Sequence, residues 1–147
     1  MHARSTFVAL AVLTLTACGG SSSTGSNLPP GYYILISGLA FPAATLRVPA
    51  GATVHVVNQS TMAHTVTEEA AAGDFTLGGP AGVTPFNVAS PAGSTTTFTV
   101  PTGLADGTVL HYFCQTHTST MSPANGSITV DSGARTYVPP GVGGAGY

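Results

Sequence analysis

Between Tyr32 and Asp131 the apolar and β-branched residues come in short runs closed by glycine or proline turns, and no helical period runs through that stretch. Tyr32 to Ser37 is such a run, followed by the short Ala44 to Val48, the turn Pro49-Ala-Gly51 and a resumed run from Thr53 to Val57. These first runs are expected to pair antiparallel. Pro91-Ala-Gly93 turns into Ser94 to Val100, whose hydroxyl-rich alternation suits a strand with one packed and one solvated face. Leu104-Ala-Asp-Gly107 turns into Thr108 to Cys114, and Gly126 to Asp131 closes the set. Several short strands without crossover helices predict an all-β fold, a β-sandwich. Between Glu68 and Pro91 the pattern dissolves into alanine, glycine and proline, with a short helix expected at Glu68 to Ala72.

The ends of the chain read differently. Met1 to Arg4 carries one fixed positive charge and leads into the uncharged apolar stretch Ser5 to Ala17, too short to span a bilayer and suited to an export signal. Leu15-Thr-Ala-Cys18 resembles a bacterial lipobox, which makes Cys18 the lipidation site after removal of residues 1–17. Residues 18–31 are then a lipidated N-terminus and flexible linker, 32–131 the folded domain, and 132–147 a flexible Gly/Pro-rich tail. The expected location is outside the cytoplasm, in the periplasm or at the cell surface. Gly19 after Cys18 points to the outer membrane in a Gram-negative host. Three arginines, no lysine and five acidic residues give a net charge of −2, so no phosphate-neutralising patch exists and nucleic-acid binding is excluded.

With Cys18 committed to lipid, Cys114 has no disulfide partner in an oxidising compartment, and should be buried, metal-bound or catalytic. It lies in Tyr112-Phe-Cys114-Gln-Thr-His117-Thr-Ser-Thr-Met121, a C-x2-H-x3-M spacing that gathers a thiolate, an imidazole and a thioether where an apolar run enters a polar loop. Such donors suit soft transition metals, copper above all. Strand alternation turns Leu110, Tyr112 and Cys114 to one face, and leaves His111, like His55, on the other parity as a rim histidine. Phe86 and Tyr112 read as core. His64, in Asn58-Gln-Ser-Thr-Met-Ala-His64, is the fourth candidate donor. Taken singly, each has a plainer reading: a small buried cysteine, a loop histidine, a core methionine.

Phe41 to Asn58, Ser60-Thr-Met-Ala-His64-Thr-Val, Tyr112-Phe-Cys114-Gln-Thr-His117 and Gly126-Ser-Ile-Thr-Val130 together resemble the cupredoxins, the plastocyanin- and pseudoazurin-like blue copper proteins. The resemblance covers Ile34 to Val130. It implies a Greek-key β-sandwich and one copper per chain, with His64, Cys114 and His117 as strong ligands and Met121 as the weak axial one. Two departures stand out. Met121 precedes Gly126 by more residues than in the plastocyanin pattern, so anchoring on Gly126 would put Ala124 at the methionine's place. Thr65 replaces the asparagine that follows the first histidine, which makes Thr65, Gln115 and Thr116 the candidates for contacts that orient the ligands.

The resemblance implies a mononuclear type 1 copper protein that carries electrons between redox protein partners; the expected form is a monomer, held at the membrane by the lipid on Cys18. The alternative is storage, delivery or sensing of copper through the same ligands. A dinuclear electron-transfer site and the enzyme readings fare worse. A dinuclear copper site needs a second loop cysteine, a multicopper oxidase needs closely spaced histidine pairs, and a cysteine hydrolase needs an orienting residue and an oxyanion loop; the sequence has none of these.

Overall fold

The computed structural model describes residues 28–139. The signal segment, the Cys18 lipidation site, linker residues 18–27 and tail residues 140–147 lie outside the described residues. Eight strands follow in chain order: β1 Tyr32–Ile36, β2 Thr45–Val48, β3 Thr53–Asn58, β4 His64–Glu69, β5 Asn87–Ser90, β6 Thr95–Thr99, β7 Val109–Phe113 and β8 Asn125–Val130. They form a three-stranded sheet ordered β1-β3-β6 and a five-stranded sheet ordered β2-β8-β7-β4-β5. The expected all-β sandwich is the fold. Among the described residues no helix is long and apolar enough to cross a membrane.

The inward residues of both sheets make one core. Ile34 and Ile36, Leu46 and Val48, Val54 and Val56, Val66, Leu110 and Tyr112, and Ile128 and Val130 are all buried there, each pair two apart along its strand. Tyr112 packs edge-on against Phe41, with ring centroids 5.1 Å apart, and Phe86 stacks on Phe98.

The opening strands do not pair antiparallel. β1 runs parallel to β3, and β2 crosses to the other sheet to run parallel to β8. The turn at Pro49–Gly51 carries the chain between sheets, and Gly51 N–H donates to the Val100 carbonyl (3.0 Å) instead of opening a hairpin. Alternation decides which face turns inward and is silent on which neighbour fills the ladder. No helix forms at 68–72 either, for Glu68 and Glu69 end β4 as fully buried residues. Residues 132–139, expected within the flexible tail, turn back instead. Tyr137 and Gly31 exchange backbone hydrogen bonds of 3.0 Å, and the Tyr137 hydroxyl donates to the Tyr33 carbonyl (2.8 Å), where its ring covers the outer face of β1.

Each buried carboxylate organises the 70–86 loop. Glu69 accepts from the backbone N–H groups of Gly73 (3.2 Å) and Phe75 (2.8 Å) and from the Asn125 side chain. Glu68 accepts from the Phe86 N–H (3.1 Å) through Oε2, while its buried Oε1 has no partner. Burial pushes the Glu68 carboxyl above its ordinary value of 4.5, against a smaller opposing pull from the Phe86 amide. Tyr112, its partner across the ladder, is likewise held protonated, far above the usual tyrosine range, by burial. A raised carboxyl pKa means that the folded state holds more protons, so stability falls as pH rises above the unfolded value. Glu68→Gln, an isostere of the neutral acid, is expected to match the parent's melting temperature near pH 4 and to exceed it by a few degrees at neutral pH. Parallel melting curves across that range would contradict this.

Candidate metal centre

At one end of the five-stranded sheet, three donors arrive from two strands and a turn. Asn58, fully buried at the end of β3, shapes the first approach: its side-chain amide donates to the Met62 and Ser90 carbonyls (2.8 and 2.9 Å). Its Oδ1 accepts from the N–H and hydroxyl of Ser60 (2.9 and 2.7 Å). This polar knot returns the chain so that His64 opens β4 with its ring facing inward, 2 % exposed. Sequence reasoning missed Asn58 and Ser60 as supports, although Asn-x-Ser at a strand's end is a turn signal.

Cys114 follows directly on β7, on the inward parity of Leu110 and Tyr112, and is wholly buried. A single 3-10 turn, Gln115–His117, follows it, with the His117 N–H donating to the Cys114 carbonyl (3.2 Å). That turn folds His117 back beside the sulfur. Met121 N–H then donates to the His117 carbonyl (3.0 Å), and the Met121 side chain is buried in the core cluster that holds Cys114.

The donor atoms form a small triangle. His64 Nδ1 and His117 Nδ1 each lie 3.6 Å from Cys114 Sγ and 3.2 Å from one another. For an ion bound by nitrogen at about 2.0–2.1 Å and by thiolate sulfur at about 2.3 Å, near-tetrahedral angles require separations of about 3.3–3.6 Å. The triangle therefore has the size of a first-row coordination sphere. Three lone pairs facing one another at this range repel unless a cation or a proton lies between them. Burial, and next the neighbouring His117 imidazole, press the His64 pKa below its ordinary 6.5, with a weaker opposing pull from the Gly38 backbone. The ring thus favours the neutral form that binds metal. These three residues are the group among those described that could hold an ion.

The other expected residues divide. Thr65 touches Cys114 on both sides: its N–H donates to Sγ (3.4 Å), and its hydroxyl oxygen accepts from the Gln115 N–H (2.8 Å). Gln115 takes part through its backbone, whereas Thr116 is exposed and makes no side-chain hydrogen bond among the described residues. Thr67 and Asn87 continue the contacts of Thr65 outward, and neither was singled out by sequence. His55 stacks on Tyr33 and His111 stands in the middle of β7, both half-buried and outside the donor triangle.

The chain matches no protein-family model and no curated protein. Solved structures similar to it include a mutant amicyanin in the Cu(I) state, 20 % identical, covering 69 % of this chain and 82 % of that one with a TM-score of 0.48. An oxidized mutant amicyanin is 17 % identical, with 76 % and 95 % covered and a TM-score of 0.49. Amicyanin from Paracoccus versutus is 18 % identical, with 76 % and 94 % covered and a TM-score of 0.48.

Proposed function

We propose that the chain is a mononuclear type 1 copper protein of the cupredoxin kind that carries electrons outside the cytoplasm. The observation that carries this reading is the triangle of His64, Cys114 and His117 donor atoms, sized for one ion and built of two imidazoles and one thiolate. That donor set, with a methionine buried in the same cluster, is the blue-copper pattern. Bound there, copper would supply a one-electron couple. The chain's own part is to hold the donors: His64 and Cys114 are fixed within the sandwich, and the fold rather than the ion pays for closure of the 64-to-114 gap. His117, half-buried on the turn, is the donor that meets solvent and offers the route to a partner protein. Leu39 and Met62, both exposed, stand on loops leading into the site and give that rim an apolar character. With so few charges, steering of a redox partner is weak and docking rests on apolar contact. Export, lipid anchoring through Cys18 and a place in the periplasm or at the cell surface complete the proposal.

The test is to load the purified protein with Cu(II). An intense thiolate-to-copper band together with fast, reversible one-electron exchange supports a carrier; ready transfer of the ion to a chelator with slow exchange would favour copper delivery. Met121 enters the proposal as the weak axial ligand. Met121→Leu is expected to keep the band while raising the reduction potential by tens of millivolts, as loss of a weak thioether donor should. An unchanged potential would take that role from Met121.

A further inference from the structure

On the outer face of the five-stranded sheet a row of polar groups leads away from the cysteine. Thr67 Oγ1 lies 3.0 Å from Thr65 Oγ1 and 2.9 Å from Asn87 Oδ1, and Thr65 Oγ1 in turn lies 2.8 Å from the Gln115 amide nitrogen. Thr67 is fully buried, Asn87 stands opposite it on edge strand β5, and Gln115 follows Cys114 directly. The protons leave one consistent arrangement. A hydroxyl has a single proton, and the Asn87 carbonyl oxygen can only accept. Thr67 therefore donates to Asn87 and accepts from Thr65, whose oxygen is then free to accept from the Gln115 N–H. Each group donates to the next, from Gln115 through Thr65 and Thr67 to Asn87, and bonds aligned head to tail polarise one another.

We propose that Thr67 and Asn87 are positioning residues for the metal centre, acting through Thr65 on the Cys114–Gln115 turn. This rests on the copper reading above only in its second half. By taking the Thr65 proton, Thr67 locks that hydroxyl in the orientation that presents a lone pair to Gln115. The Thr65 backbone N–H reaches the Cys114 sulfur, so the rigidity of the β4–β5 ladder passes to the sulfur from two directions. Without the relay the Thr65 hydroxyl is free to turn, and the lone pair it offers the Gln115 amide is no longer held in place.

Thr67→Val keeps the side chain's shape and removes the hydroxyl, Thr67→Ser restores it, and Asn87→Ala removes the end acceptor at an exposed position where folding is not at risk. In the metal-free full chain, hydrogen exchange at the Gln115 amide is expected to quicken about fivefold or more in Thr67→Val and Asn87→Ala, and to return towards the parent rate in Thr67→Ser. In the copper-loaded protein the same two variants should shift the reduction potential and the charge-transfer band, and Thr67→Ser should not. Unchanged Gln115 exchange in both Asn87→Ala and Thr67→Val overturns the relay. Quickened exchange without any intense band in the copper-loaded parent overturns the copper reading and leaves the relay standing.

Discussion

Copper-loaded Cys114→Ala is expected to be colourless where the parent is intensely coloured, with copper affinity reduced by more than about a hundredfold. The sulfur is the apex of the donor triangle, equidistant at 3.6 Å from both imidazole nitrogens. Removing it leaves two nitrogens 3.2 Å apart and a methyl group where the third donor stood. Changes to groups one shell further out commonly cost 10–100-fold in metal affinity, so loss of a donor itself should exceed that range. The band depends on a thiolate, and among the described residues Cys114 is the free cysteine. The visible spectrum and a competition titration with a chelator measure the two effects separately. A band that survives the substitution would remove Cys114 from the coordination sphere and the type 1 assignment with it. The metal-free variant should keep its β-sheet circular dichroism, because the wider core, from Ile34 to Val130, does not depend on the sulfur.

What could be read from sequence follows from range. Cys114, His117 and the strand before them obey local rules: period-2 alternation turned the sulfur inward, and a short polar loop brought the imidazole back within four residues. The 64-to-114 closure is long-range: the place of His64 after a β-like run made it a candidate donor, but only a sandwich that neighbours the two strands, which the family resemblance then implied, could bring it to Cys114. Pairing was beyond the pattern altogether. β2 and β3 alternate just as an antiparallel hairpin would, yet lie in different sheets, since the same inward face serves a strand in either layer of a sandwich. Glu68 and Glu69 misled for another reason. Adjacent carboxylates ahead of three alanines look like a solvated helix start, and their burial makes sense only once the Gly73, Phe75 and Phe86 amides and the Asn125 side chain are in place around them. Strand β5 was hidden because Asn87–Ser90 is four residues long and follows a glycine-rich loop. Tyr137 was overlooked because a single aromatic among glycines and prolines carries no period, although its ring finds the bare outer face of Tyr33.

Gly126→Ala is the substitution expected to harm the fold most. Gly126 sits opposite Tyr112 in the β7–β8 ladder, and a Cβ at that position would lie 2.1 Å from the tyrosine's Cζ and 2.3 Å from its hydroxyl oxygen. Such contacts do not occur between real atoms, so the ring or the strand must move. The ring has nowhere to go: it is fully buried, edge-on to Phe41 at 5.1 Å. Overpacking of a close-packed core ordinarily costs about 1–3 kcal/mol, and an overlap this deep belongs at or beyond the top of that range. For a domain of this size about 3 kcal/mol corresponds to a fall of about 10–20 °C in melting temperature. The damage should also reach the copper, because Tyr112 is two residues from Cys114 on the same inward face, and any tilt of the ring turns the strand that aims the sulfur. A double-mutant cycle separates this cause from a general intolerance of β8 to side chains. In a Tyr112→Ala background the space beside residue 126 is open, so adding Gly126→Ala should cost less than about 1 kcal/mol, a coupling of about 2 kcal/mol or more. If Gly126→Ala is as damaging without the ring as with it, the clash is not the reason for the glycine.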